Sequence, residues 1–210
     1  MKLEIITEEF DVKSRLEQLN LSDDALKDAI NHGYLSRTRL TSNHPRIYFG
    51  YSTWAETIAR LREVLLPLGW EKSDKANYEL VIHTQKELAI AVATGDESTG
   101  VKNATPSNKC PKGTNTIQAI NTNNQLDLFQ ELIPTPTIDQ ENFSTWILLH
   151  HITEKEIRYE LSLPYSIEVN GKITSWKERI ILNPIQLDDE LEIIPTKSQD
   201  IDIPIKRKAS

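Results

Sequence analysis

A chain of 210 residues, 38% of them hydrophobic, is long enough to bury one large core or two small ones. It holds no run approaching the ~20 apolar residues that cross a bilayer, and Met1-Lys2-Leu3-Glu4-Ile5 opens no apolar secretory leader, so a soluble, cytoplasmic protein is expected. A net charge of −7 argues against nonspecific coating of DNA by the whole surface, and the single cysteine, Cys110, excludes an internal disulfide framework or a cysteine zinc site.

Residues 8–19 read as a helix with Phe10, Leu16 and Leu19 on one face. Ser22 is a good N-cap for a second helix running to about His32, and Gly33 suits its left-handed close. Ser36 to Pro45 reads as polar and irregular. Thr53 and Glu56 have the spacing of a capping box, opening a helix with Trp54, Ile58, Leu61 and Leu65 on one stripe and Pro67 and Gly69 at its end. The connection before it is too long for the compact turn of a helix-turn-helix DNA reader.

Tyr78 to His83 and Glu87 to Ala93 read as two strands across the turn Thr84-Gln85-Lys86, the second apolar enough for both faces to be buried. The stretch from about Thr94 to Thr116 has no apolar periodicity, and loops of that length are usually functional or disordered. Its start, Gly95-Asp96-Glu97-Ser98-Thr99-Gly100, is a poor phosphate-cradling loop. Val101 stands where Lys is required, Asn103 replaces the hydroxyl, and two acids would repel phosphate, so nucleotide hydrolysis is excluded.

Trp146 to Ile152 and Ile157 to Leu163 form a predicted hairpin. In its second strand Ile157, Tyr159, Leu161 and Leu163 alternate with Arg158, Glu160 and Ser162, the pattern of a sheet with one wet face. Asn170-Gly171 is the strongest turn signal, joining Ser166–Val169 to a strand from about Ile173 to Leu182. Beyond Asn183 the acidic, Pro-interrupted sequence reads mostly as a tail. The expected fold is α+β, with N-terminal helices followed by a mainly antiparallel sheet (a β-meander), a long central loop and an acidic tail. In residues, a single domain is expected over 1–183, helical in 1–72 and sheet in 77–183 with the loop at 94–143, and the tail over 184–210.

Gln125-Leu126-Asp127-Leu128-Phe129 resembles the peptide by which bacterial replication and repair proteins bind the sliding clamp. The resemblance implies an extended segment with Gln125 as amide anchor, Leu128 and Phe129 in an apolar pocket, Leu126 between them and Asp127 facing water. The polar run Asn121-Thr122-Asn123-Asn124 before it and Pro134 and Pro136 after it fit such a segment. The competing reading is an amphipathic helix with Leu126, Phe129 and Ile133 on a buried face. The span from Ala89 to Phe129 also resembles proteins carried by phages and other mobile elements, with no activity implied.

A second candidate partner is nucleic acid. Arg37, Arg39, Arg46, Arg60 and Arg62 mix with Tyr48, Phe49, Tyr51 and Trp54, and arginine grips phosphate while aromatic rings stack bases. The plainer alternative places the aromatics in the core and the arginines on a solvated face or against the acidic tail. His150-His151 on one strand points to opposite faces and cannot share a metal, so neither a metal nor a cofactor is expected. Cys110 would need His44 or His83 beside it to act as a nucleophile. The sequence thus reads as a non-enzymatic interaction protein acting near DNA replication or repair. The alternatives are a nucleic-acid-processing enzyme built from dispersed residues such as Asp96, Glu97 and His83, or an inhibitor or subunit of a larger complex.

Overall fold

The structure, a computed structural model, describes residues 3–129 and 143–187, and of 125–129 the backbone alone. Runs of apolar residues covered on both faces form the centre: β4 (Leu88–Thr94) and β5 (Ser144–Ile152) are almost wholly buried. Around them lie β1 (Glu4–Ile6), β2 (Glu71–Ser73), β3 (Leu80–His83), β6 (Glu156–Ile167), β7 (Ile173–Ile181) and β8 (Ile185–Gln186). The order across the sheet is β1-β7-β6-β5-β4-β3-β2, with β8 on β6. Most neighbours are antiparallel, but β4 pairs with β5 and β1 with β7 in parallel.

The parallel β4–β5 pair explains the long connection between them. Parallel neighbours need a crossover, here the 95–112 segment and helix α4 (Thr114–Phe129). The polar run at 121–124, expected as a turn, is helical. Asn123 is buried and exchanges two hydrogen bonds with the Thr145 backbone, at 3.0 and 2.8 Å, while Asn124 donates to the Tyr165 carbonyl at 2.9 Å. Those amides dock α4 on β5 and β6.

The other sheet face carries α1 (Glu9–Gln18), α2 (Asp23–Thr38) and α3 (Arg46–Leu65). Leu16, Leu26, Ile30, Leu61 and Leu65 share one core with Ile90, Leu148, Leu161 and Ile180. On α1 the buried face is Val12 and Leu16, with Phe10 left 81% exposed. Ser22 caps α2 as expected, its hydroxyl accepting from Ala25 N at 3.2 Å. Gly33 does not close that helix. It lies inside α2 where α3 crosses, and a Cβ there would overlap Thr57 Oγ1 and meet the Thr53 carbonyl at 2.6 Å. Thr53 is likewise not a cap, since α3 begins after Pro45 and Thr53 Oγ1 donates to the Phe49 carbonyl at 2.9 Å. The helices run antiparallel, with Ser36 against Ser52, His32 against Glu56 and Asp28 against Arg60.

Two further expectations change. β6 is one long strand that passes through Pro164 by register shifts, not two strands. The face of β6 holding Glu160 and Ser162 is dry, because the 95–112 segment covers it. Glu160 and Arg179, both fully buried, form a two-pronged ion pair at 2.6 and 3.0 Å. Glu160 also accepts from Ser162 Oγ and Gly100 N, each at 2.8 Å. Arg179 donates to the Ala104 and Val101 carbonyls at 2.6 and 3.2 Å. Within the expected tail, Ile185–Gln186 pairs with β6; residues 188–210 lie outside the described residues.

Removing one partner of such a pair leaves an uncompensated buried charge, at a cost of roughly 3–5 kcal/mol. Arg179→Met should therefore lower the urea midpoint severely, and adding Glu160→Leu should recover much of the loss. A double variant no better than Arg179→Met would contradict this account.

Candidate nucleic-acid interface

The tip of the α2–α3 hairpin gathers the aromatic and basic residues. None of residues 46–51 is buried, so the first turns of α3 project beyond the core that its later residues Ile58, Leu61 and Leu65 enter. Tyr48, Tyr51 and Trp54 follow one another at three-residue spacing along α3, and His44 lies in the turn just before it. Their rings form a continuous series. His44 and Tyr48 stack at 5.8 Å and 11°, Tyr48 and Tyr51 at 6.4 Å and 28°, and Tyr51 and Trp54 tilt at 5.6 Å and 48°. Tyr48 is 42% and Tyr51 58% exposed, with Ile47 beside them at 83%. Tyr48 and Tyr51 therefore lie outside the core, whereas Trp54 packs against it as the plainer reading has it.

The five arginines divide. Arg37 lies 5.9 Å from the Phe49 ring, and Arg39 and Arg46 are exposed. No acid occupies the first turn of α3, so Arg46 adds to the positive end of the helix dipole. Arg60 and Arg62 lie about 21–24 Å along the helix from Arg46. There Arg60 pairs with Asp28 and Glu63, and Arg62 with Asp74 and the Ser73 and Leu80 carbonyls. The structure leaves Arg37, Arg39 and Arg46 exposed at the hairpin tip, Arg37 against Phe49, and commits Arg60 and Arg62 to internal bonds.

The other candidates are dispersed. Asp96 is a loop staple, its carboxylate accepting from Ser98 N and Ser107 N at 3.1 and 3.0 Å. His83 sits at the opposite end of β4, opposite Leu88, bonded to Asn20 at 3.0 Å and edge-on to Trp70. Cys110 is exposed and free, while His44 bonds Thr41. Among the described residues no group of three His, Cys, Asp or Glu side chains could hold a metal, and no helix is long and apolar enough to cross a membrane. The Gln125–Phe129 backbone forms the end of α4; its side chains lie outside the described residues.

His150 is buried and His151 is not, as the strand alternation requires. Burial pushes His150 down to about 4, with Lys112, His151 and Arg37 adding in the same direction. No family model matches the chain, and neither the curated proteins nor the solved structures contain a match to it.

Sequence reading found the basic and aromatic stretch but not its geometry. The three-residue spacing of Tyr48, Tyr51 and Trp54 was visible, and the helix start placed at Thr53 concealed it. The buried His150 generates a pH prediction. Unfolding frees it to take a proton near its ordinary 6.5, so its contribution is complete above that value and lost as pH falls toward 4, by about 3 kcal/mol. Urea unfolding from pH 7 to 4 should show a shallower decline for His150→Gln than for wild type. Parallel declines would contradict the assignment.

Proposed function

We propose that this is an interaction protein that binds single-stranded nucleic acid across the α2–α3 tip. The observation that carries the reading is the ring series His44–Tyr48–Tyr51–Trp54, exposed at Tyr48 and Tyr51, on the same hairpin tip as the exposed Arg37, Arg39 and Arg46. Rings in sequence offer successive bases a stacking surface that does not discriminate between them, and neighbouring arginines hold the backbone phosphates. Single strands suit the site better than duplex, whose stacked bases hide their faces. The acidic balance of the whole chain restricts such binding to this patch.

Fluorescence anisotropy with a labelled oligothymidylate tests this. Affinity should fall steeply with salt as phosphates release counterions. Tyr48→Ala with Tyr51→Ala should weaken binding by at least about tenfold, one stacked base being worth ~1–3 kcal/mol. Arg37→Glu with Arg39→Glu should abolish binding, and all variants should melt near wild type because these side chains are exposed. Absent or salt-independent binding would reject the reading and point to a protein partner for the patch.

The second proposed partner is the bacterial sliding clamp, through Gln125–Phe129. Support comes from the side-chain series of the pentapeptide; because its backbone completes α4, extended docking requires that last stretch of helix to open. With both contacts, the reading is of a protein acting at replicating or repaired DNA in the bacterial cytoplasm. Titration with purified clamp should give binding that Leu128→Ala with Phe129→Ala weakens at least tenfold, roughly 2–4 kcal/mol on transfer grounds, with Gln125→Ala weaker in effect. A clamp that ignores wild type, with a double variant that melts early, would assign the segment to the core instead.

A further inference from the structure

The ring series does not end on open surface. Trp54 forms one wall of a notch of about 160 Å³ at the edge of the sheet. β3 pairs with β4 only as far as Val81 opposite Ile90, so Val92 and Ala93 run past its end and leave the gap. Tyr78, Glu79, Lys112 and Thr116 line it together with an apolar floor of Ala91, Ala93 and Ile147.

One polar group in the notch lacks a partner. The Tyr78 hydroxyl is buried with no geometric hydrogen bond, and burial pushes its phenol up to about 12, with the Thr116 side chain beside it pulling more weakly the other way. Lys112 is half-buried, which lowers its ammonium. Its position is built in. Lys112 N donates to the Gly171 carbonyl at 2.9 Å, and a Cβ on Gly171, which has φ +77°, would meet the Lys112 backbone nitrogen at 2.7 Å. A buried hydroxyl held without a partner carries a desolvation cost that a ligand acceptor would relieve.

We propose that this notch receives a single nucleobase with a ring carbonyl beside a ring N–H, guanine or uracil/thymine. The proposal rests on the nucleic-acid reading of the α2–α3 tip and extends it. The flat apolar floor and the Trp54 ring enclose a planar heterocycle. The volume is below the roughly 300–1,000 Å³ of drug-sized sites and admits one ring system. Lys112 Nζ and Tyr78 Oη donate to the carbonyl oxygen, and the Glu79 carboxylate accepts a ring N–H. An anion alone fits less well, because Glu79 lines the same space. Adenine offers no carbonyl to the two donors. A strand laid along His44, Tyr48 and Tyr51 would place its next base here.

Mononucleotides separate this notch from the ring series. Trp70, Trp146 and Trp176 are each 2% exposed while Trp54 is half-buried, so quenching by a stacked base reports on Trp54. Titration of the full chain with GMP, UMP, AMP and CMP should give saturable quenching by GMP or UMP, and at least about tenfold weaker binding by AMP. Lys112→Met should weaken GMP or UMP binding at least about tenfold, the range of a charge-assisted hydrogen bond. It should melt near wild type, since the Lys112 side chain is only half-buried. Quenching absent at millimolar nucleotide, equal for AMP and GMP, or unaltered in Lys112→Met would overturn the notch proposal, even with oligonucleotide binding intact. Loss of oligonucleotide binding alone would reject the ring series and leave the notch standing.

Discussion

The buried Glu160–Arg179 pair fixes the side of the molecule on which the crossover runs. A carboxylate and a guanidinium with no exposure are tolerable only when their remaining hydrogen-bonding capacity is used. Ser162 Oγ, Gly100 N and the Val101 and Ala104 carbonyls use it, and three of those four belong to the segment after β4. The pair thus converts a polar, non-periodic stretch into a fixed cover for β6 and β7. Further along, Trp176 Nε1 donates to the Pro106 carbonyl at 2.8 Å, and buried Asn108 bonds Gly171 O and Ile173 N, each at 2.8 Å. The chain reaches Lys112 already anchored.

The helical layer is organised differently. There the constraint is close approach: Gly33 lets α3 cross α2 against Thr53 and Thr57, and the small side chains Ser36 and Ser52 meet farther out. Bringing the helices together by small residues leaves no large apolar residue to be buried near the tip. The aromatic rings of early α3 consequently face outward and stack on one another. An exposed ring series is thus a consequence of how the hairpin closes, and it borders the notch that the crossover completes from the other side of the sheet.

The helix-first, sheet-second order, the Ser22 cap, the β3–β4 and β5–β6 hairpins and the turn at Asn170-Gly171 were legible from local signals. What they did not give depended on partners distant in the chain. Glu160 and Ser162 alternate like a wet face, and only the crossover makes that face dry. Gly33 resembles a helix end until α3 packs on it. Asn123 belongs to a turn-forming run, yet the Thr145 backbone holds it in a helix. β1 and β8 are too short to show periodicity and exist through pairing with β7 and β6. For the candidate interface, composition marked the residues, whereas the separation of Arg37, Arg39 and Arg46 from Arg60 and Arg62 needed Asp28, Glu63 and Asp74 in place. Tyr78, Lys112 and Thr116 had no sequence signal as a group, because three separate elements bring them together.

The central claim is that one surface, the α2–α3 tip leading into the Trp54 notch, meets single-stranded nucleic acid. Hydrogen–deuterium exchange of the full chain with and without an oligonucleotide long enough to span the rings maps that surface directly. The account predicts slowed exchange confined to residues 37–54 and to the backbone around Tyr78 and Lys112, with β1, α1 and β7 unchanged. Protection that avoids 37–54, or that falls on the opposite end of the sheet around His83, would contradict it.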